Sequence, residues 1–201
     1  MTYPLEDGGF TLWYGDLEAH LKRIHGVSAK DLGLDRRSLA DRYYAGDSVF
    51  TFIDRIAGML GEEGFTHVYA DLGETRLIGD HPDGRPWRIG LRDPKDPDRF
   101  GRTLDLEDIG LAVSGGYGTP FDETGRYNHI FDPRSGLSAS KMAAIAVTAP
   151  SAMIANGLAT SIYVAGREHA ARILGAHPGA KAVITTTDGK WLSSDADGSF
   201  A

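Results

Sequence analysis

"KMAAIAVTAPSAMIANGLATSIYVAG", residues 141–166, changes character at Pro150. Up to the proline the run is short and almost wholly apolar, and it reads as a buried strand. From Ser151 a helix is expected to about Ala165, with a second short helix over 167–175. The stretch is the longest apolar-leaning one in the chain. Pro150, Asn156 and several hydroxyls interrupt it, so it does not read as a membrane span.

The neighbouring segments settle the fold class. Downstream, "KAVITTTDGKWLSS" reads as a hairpin with Asp188-Gly189 at its tip, a favoured turn dipeptide. Upstream, "FTHVYADLG" reads as a strand and "TRLIGDHPDGRPWRIGLRDP" as strand, polar turn at Pro82–Gly84, strand. Two Asp-Pro steps make residues 93–101 a loop. "TLDLEDIGLAVSGG" looks like a hairpin and "RYNHIFDP" like a further strand. Nearer the N-terminus a short helix is expected over 16–25, capped by Asp16 and stopped by Gly26. Another runs from Asp47 or Ser48 to about Gly61, with Val49, Phe52, Ile53, Ile56 and Leu60 on one face. Hairpins with segregated helices predict an α+β fold, a mostly antiparallel sheet with helices packed on it.

The whole chain narrows the function classes. Its 201 residues are 41% hydrophobic and 24% charged, enough for one globular domain with a real core. The net charge is −7, with Lys and Arg scattered, which argues against nucleic acid as a partner. There is no cysteine, so disulfides, thiolate metal sites and a Cys nucleophile are excluded. "MTYPLEDGGF" carries early acids and no apolar core of a signal peptide, which as the sequence stands predicts a cytoplasmic protein.

Three segments carry candidate chemistry. On the helix from Ser151, Ile154, Leu158 and Ile162 form an apolar stripe, and Asn156, Thr160 and Tyr163 fall roughly opposite. That polar stripe reads either as a solvated face or as oxygen donors for a hard cation or a phosphate near a helix start. "LAVSGGYGTP", residues 111–120, puts Ser114, Gly115 and Gly116 directly after a strand. Small residues there let backbone N–H groups approach a ligand, although a plain hairpin turn needs none. In "RYNHIFDPRSG", residues 126–136, His129 and Phe131 share one strand face while Asn128, Ile130 and Asp132 share the other. His129 suits a general base, since an ordinary imidazole is largely neutral at pH 7. Asp132 before Pro133 reads as a turn-maker, with Arg134 and Gly136 completing the turn.

Taken together and in this order, "DLGETRLIGDHPDGRPWRIGLRDP", "LAVSGGYG", "RYNHIFDPRSG" and "APSAMIANGLATSIYVAG" resemble the ApbE family, the FAD:protein FMN transferases. That family shows W-x-V-G-I-x-D-P, then V-S-T/S-G-x-Y, then H-x-I-x-D-P-x-T-G, then a helix like A-D-A-M-T-A-D-A-L-S-T-A. The resemblance covers about residues 45–190. It implies a divergent N-terminal segment over 1–44 and an ApbE-like domain over 45–201. It also implies Mg²⁺-dependent transfer of FMN from FAD to a Thr or Ser of a partner flavoprotein, with release of AMP. By the same resemblance His129 is the catalytic base or orients the hydroxyl. Ser114, Gly115, Tyr117, Ile130, Phe131 and Asp132 lie along the flavin nucleotide. Thr160 matches the metal-binding threonine, and Gly46 falls near a metal-facing backbone carbonyl.

The resemblance has gaps. The family's metal aspartate is Asn156 here, which offers a carbonyl oxygen without charge. The usual A-K-G-Y-x-x-D segment survives in "AGDSVFTFID" only at Asp54. "DLGETRLIG" replaces the commoner G-G-D. Fewer residues precede these blocks than is usual for the family, so a short or N-terminally truncated member is expected. A second reading therefore stays open, a degenerate relative that binds flavin or a protein without transferring FMN. Family members usually work in the periplasm or anchored to a membrane, and a homodimer that completes the pocket is equally open.

Overall fold

The computed structural model describes residues 10–11, 14–15, 17–19, 22, 28–31, 34–45, 49–122, 126–195 and 198–200. One antiparallel sheet of six strands organises the chain. Its order is β1 (Val68–Asp71), β2 (Thr75–Ile78), β5 (Gly110–Gly115), β8 (Ala144–Ala149), β9 (Lys181–Thr185) and β10 (Trp191–Ser193). A separate hairpin joins β3 (Trp87–Asp93) to β4 (Asp96–Leu106), and β6 (Phe131–Asp132) pairs with β7 (Leu137–Ser138). The architecture is α+β, as the patterning predicts.

β8 is buried at all six positions because both faces of the sheet are covered. Side chains alternate along a strand. Ile145, Val147 and Ala149 therefore meet Ala155, Leu158, Ala159 and Ile162 of the helix Ala152–Ala165, whereas Ala146 turns the other way. There, with Leu111 and Val183, it packs under Ile89 and Leu91 of the β3–β4 hairpin. Full burial of one such aliphatic is worth ~1.5–3 kcal/mol, so this helix, sheet and hairpin stack dominates the core. A second cluster joins Phe10, Leu17, Leu39 and Ala40 to Phe52 and Ile53 of the helix Val49–Glu62 and to Ala152.

Several expectations need correction. Phe10, Thr11, Tyr14 and Gly15 are already helical, so helical structure begins upstream of Asp16; Asp16 and Gly26 themselves lie outside the described residues. Burial of Phe10 and Leu17 in the second cluster accounts for it. A helix Arg36–Tyr44 also appears, its first turn capped by Asp35 accepting from Arg37 N and Ser38 N. Asp47 and Ser48 lie outside the described residues.

Residues 93–101 are not a loop, since β4 starts at Asp96. A two-stranded ribbon leaves each strand a free edge, where a proline's missing donor is tolerated. β4 and β5 do not form a hairpin with each other either. β4 pairs with β3, braced by Arg88 Nε on Asp105 Oδ1 at 2.8 Å, and β5 pairs with β2 and β8. The strand expected over "RYNHIFDP" is reduced to Phe131 and Asp132. Among the described residues no helix is long and apolar enough to cross a membrane.

Candidate functional site

The site grows from the end of β5. Ala112 packs in the helix-side core, so Ser114, two residues on, faces the same helix. Its Oγ lies 3.2 Å from Thr160 Oγ1. A short 3₁₀ turn, Gly116–Gly118, follows. Gly116 N donates to the Tyr163 hydroxyl at 2.9 Å. A Cβ on Gly116 would sit 2.7 Å from Asn128 Nδ2 and 3.0 Å from the Tyr163 hydroxyl, so only glycine permits this approach. The turn, the histidine segment and the helix converge at this residue.

Tyr163 corrects the reading of a solvated stripe. It is 2% exposed, and burial pushes its hydroxyl pKa up. The outward positions of the helix are Met153, Gly157 and Ser161 instead. A wheel gives relative directions around a helix but not which neighbour each direction meets, and here the polar stripe meets β5.

Asn128 holds the histidine segment. Its Nδ2 donates to Ala139 O at 3.0 Å, and its Oδ1 accepts from Ile130 N at 3.0 Å. Its own N–H donates to Ser138 Oγ at 2.9 Å. Asn128 and Ile130 are buried while His129 is exposed and Phe131 is 51% exposed, so the expected alternation survives without an extended ladder. Among the described residues the His129 imidazole has no hydrogen-bond partner.

Asp132 faces its own turn. Its carboxylate accepts from Arg134 N at 3.0 Å and from the Arg134 guanidinium at 2.9 and 2.7 Å, and its backbone carbonyl accepts from Gly136 N. The Arg134 guanidinium holds the Asp132 carboxyl down at about 2.

The β1–β2 turn contributes a residue that pattern reading passed over. Gly73 N donates to Asp71 Oδ1 at 3.0 Å, and Gly73 takes φ +108, which turns the chain and delivers Glu74 beside the helix. Asn156 Nδ2 donates to Glu74 Oε1 at 2.5 Å. Burial raises the Glu74 carboxyl to about 7, with the Asn156 hydrogen bond opposing and the Asp71 charge adding to the rise. A folded-state pKa above the ordinary 4.5 means the folded chain holds the extra proton, so stability falls as pH rises from about 4.5 to 7. Glu74→Gln removes that loss. In buffer free of divalent ions the variant is expected to melt higher than the parent at pH 8.5, by up to ~3 kcal/mol, and equally at pH 4.5. Thermal melts at the two pH values check this.

These pieces line one hollow of about 830 Å³. Ser114, Gly115, Tyr117, His129, Ile130, Phe131, Asn156 and Thr160 all border it, so eight of the residues singled out from the sequence come together. Asp132 lines a shallower groove beyond Phe131, and Gly46 lies outside the described residues. Glu74 and Arg92 also line the hollow and went unread. Arg92 gave no signal beyond one charge within "GLRDP". Glu74 stood in plain view in "DLGETRLIG", but its nearness to Asn156 spans 82 residues. A smaller recess of about 280 Å³ adjoins through Gly73, Arg92, Val113 and Tyr117 and runs under the β3–β4 hairpin to Trp191.

The helix start is not open to a phosphate. Asp54 accepts from Ala152 N at 2.8 Å and from Met153 N at 2.9 Å, while Ser151 Oγ accepts from Ile154 N. Arg76 Nε stands 3.6 Å from Asp54 Oδ1. Asp54→Ala is expected to cost about 2 kcal/mol, two charge-assisted bonds at a helix N-terminus, read as a lower urea midpoint with an unchanged slope.

Oxygen donors are what the hollow offers a metal. Asn156 supplies an amide oxygen, Thr160 a hydroxyl and Glu74 a carboxylate, a hard set that suits Mg²⁺. Among the described residues no three His, Asp or Glu side chains gather as a metal cluster, so any ion here relies on mixed donors.

A family model described as the ApbE family matches residues 51–184. The FAD:protein FMN transferase of Vibrio cholerae is 33% identical over 140 residues, 68% of this chain and 42% of that protein. The Haemophilus influenzae protein of the same name is 30% identical over 146 residues, 70% of this chain and 42% of that one. The chain thus spans about two fifths of the length of these curated relatives. Among solved structures, the ApbE protein of Thermotoga maritima superposes with a TM-score of 0.64 at 25% identity, covering 71% of this chain and 48% of that one. The flavin transferase ApbE of Vibrio cholerae superposes at 0.59 and 32% identity, covering 74% and 49%. Matched over most of its sheet and over the hollow that the sheet supports, this chain belongs to the ApbE family.

Proposed function

We propose that this chain transfers FMN from FAD to a Thr or Ser hydroxyl of a partner flavoprotein, with Mg²⁺, releasing AMP. The supporting observation is the shared hollow, in which an exposed histidine, a glycine turn and a helix carrying oxygen donors face one another. Relatives carrying the name FAD:protein FMN transferase support the same reading.

The residues divide the work. Gly115 and Gly118 border the hollow, and a Cβ on Gly118 would meet nothing, so a nucleotide can come close to the backbone there. Tyr117, Ile130 and Phe131 supply the apolar and aromatic surface for the flavin nucleotide. Arg92 at the wall supplies positive charge to the phosphates. His129 takes the proton from the acceptor hydroxyl as its oxygen bonds to the FMN phosphorus. The bond from that phosphorus to the bridging oxygen breaks, and the electron pair leaves with AMP. Asn156 and Thr160 would hold Mg²⁺, which when bound would neutralise the pyrophosphate and the departing AMP. Ser114, 3.2 Å from Thr160, fixes the hydroxyl's position.

Incubation with FAD, Mg²⁺ and a flavin-acceptor protein, followed by in-gel flavin fluorescence, tests the reading. A fluorescent acceptor band that survives denaturation is expected. No band beside retained FAD binding would return the alternative of flavin binding without transfer.

A further inference from the structure

Glu74 is used by none of the steps above, and its surroundings are those of a carboxylate lacking a counter-ion. It is mostly withdrawn from water, and among the described residues no lysine or arginine pairs with it; its one side-chain partner is the Asn156 amide. Burying a carboxylate against an amide alone leaves its charge uncompensated. The hydrogen bond also orients that amide. With Nδ2 given to Glu74, Oδ1 is the end left to accept, and among the described residues nothing donates to it. Thr160 lies one turn along on the same helix face, and all three residues border the hollow. Carboxylate, amide and hydroxyl oxygens therefore converge where a cation would relieve the one uncompensated charge.

We propose that Glu74 is the carboxylate of a divalent-cation site completed by Asn156 Oδ1 and Thr160 Oγ1. The β1–β2 turn then supplies the negative charge that Asn156 lacks. The proposal rests on the flavin-transfer reading for what the ion does, but its binding can be tested without flavin.

Mn²⁺ titration followed by electron paramagnetic resonance, on the protein without flavin, is the test. Glu74→Gln keeps the size and the acceptor for the Asn156 amide, so the fold is retained, and Mn²⁺ affinity is expected to fall about tenfold or more. Adding Asn156→Asp to Glu74→Gln returns one charge to the same place and is expected to recover most of that loss. Mn²⁺ affinity untouched by Glu74→Gln would overturn the proposal, as would a loss that the double variant does not recover. Metal-dependent labelling indifferent to Glu74→Gln would also overturn it, leaving FMN transfer standing. Mn²⁺ binding that follows Glu74 in a protein that labels no acceptor would support the site and sink the transfer reading.

Discussion

His129→Ala should abolish acceptor flavinylation, by about 10²–10⁴-fold in rate, while the protein still binds FAD. The two effects should separate because the frame around His129 does not depend on its imidazole. The segment is held by Asn128, through its bonds to Ala139, Ile130 and Ser138, and by the buried Ile130 side chain, so removing an exposed imidazole leaves that frame in place. The hollow keeps its glycine turn and its aromatic wall. Single-turnover labelling read as in-gel fluorescence gives the rate, and quenching of flavin fluorescence gives the binding. Equal loss of both would make His129 a flavin-contacting residue instead. Asn128→Ala is the contrasting control: it should lower the melting temperature as well as activity, because it strands buried donors and acceptors.

Asn156→Asp is expected to tighten Mg²⁺ by about tenfold or more and to raise labelling at low Mg²⁺. A formal charge replaces a dipole one helical turn from Thr160, in a hollow with little opposing charge besides Arg92. The same change sets a second carboxylate against Glu74, now bridged by Asn156 at 2.5 Å. Without metal the two repel, so the variant should melt lower than the parent in chelator and recover when Mg²⁺ is added. Isothermal titration with Mg²⁺ and paired melts measure both effects. An unchanged titration would count against a metal at this end of the helix.

Much of this was readable from local pattern. The helix over 151–165 and the hairpin turning at Asp188-Gly189 depend on neighbours a few residues apart, and the structure has both, with Gly189 at φ +94. The alternation around His129 was equally local, because side-chain direction follows from backbone geometry alone. The strand partners were not local. β4 and β5 adjoin in sequence yet pair in different sheets, since Leu104 and Leu106 bury only by folding back with Trp87, Ile89 and Leu91 onto β5, β8 and β9. Asp54 lay in a recognisable position, but its work at a helix start almost a hundred residues away could not be seen there.

By itself the sequence determined the α+β class and the helix from Ser151 to about Ala165, because both follow from spacing along the chain, while residues 114–117, 129 and 160 stood out through the resemblance to a known family. Only the tertiary structure decided that Tyr163 is buried beneath the glycine turn, that Asp54 closes the helix start, and that Glu74 meets Asn156. Those contacts join segments 47 to 98 residues apart, and they depend on how the β1–β2 turn and the long helix pack on the sheet.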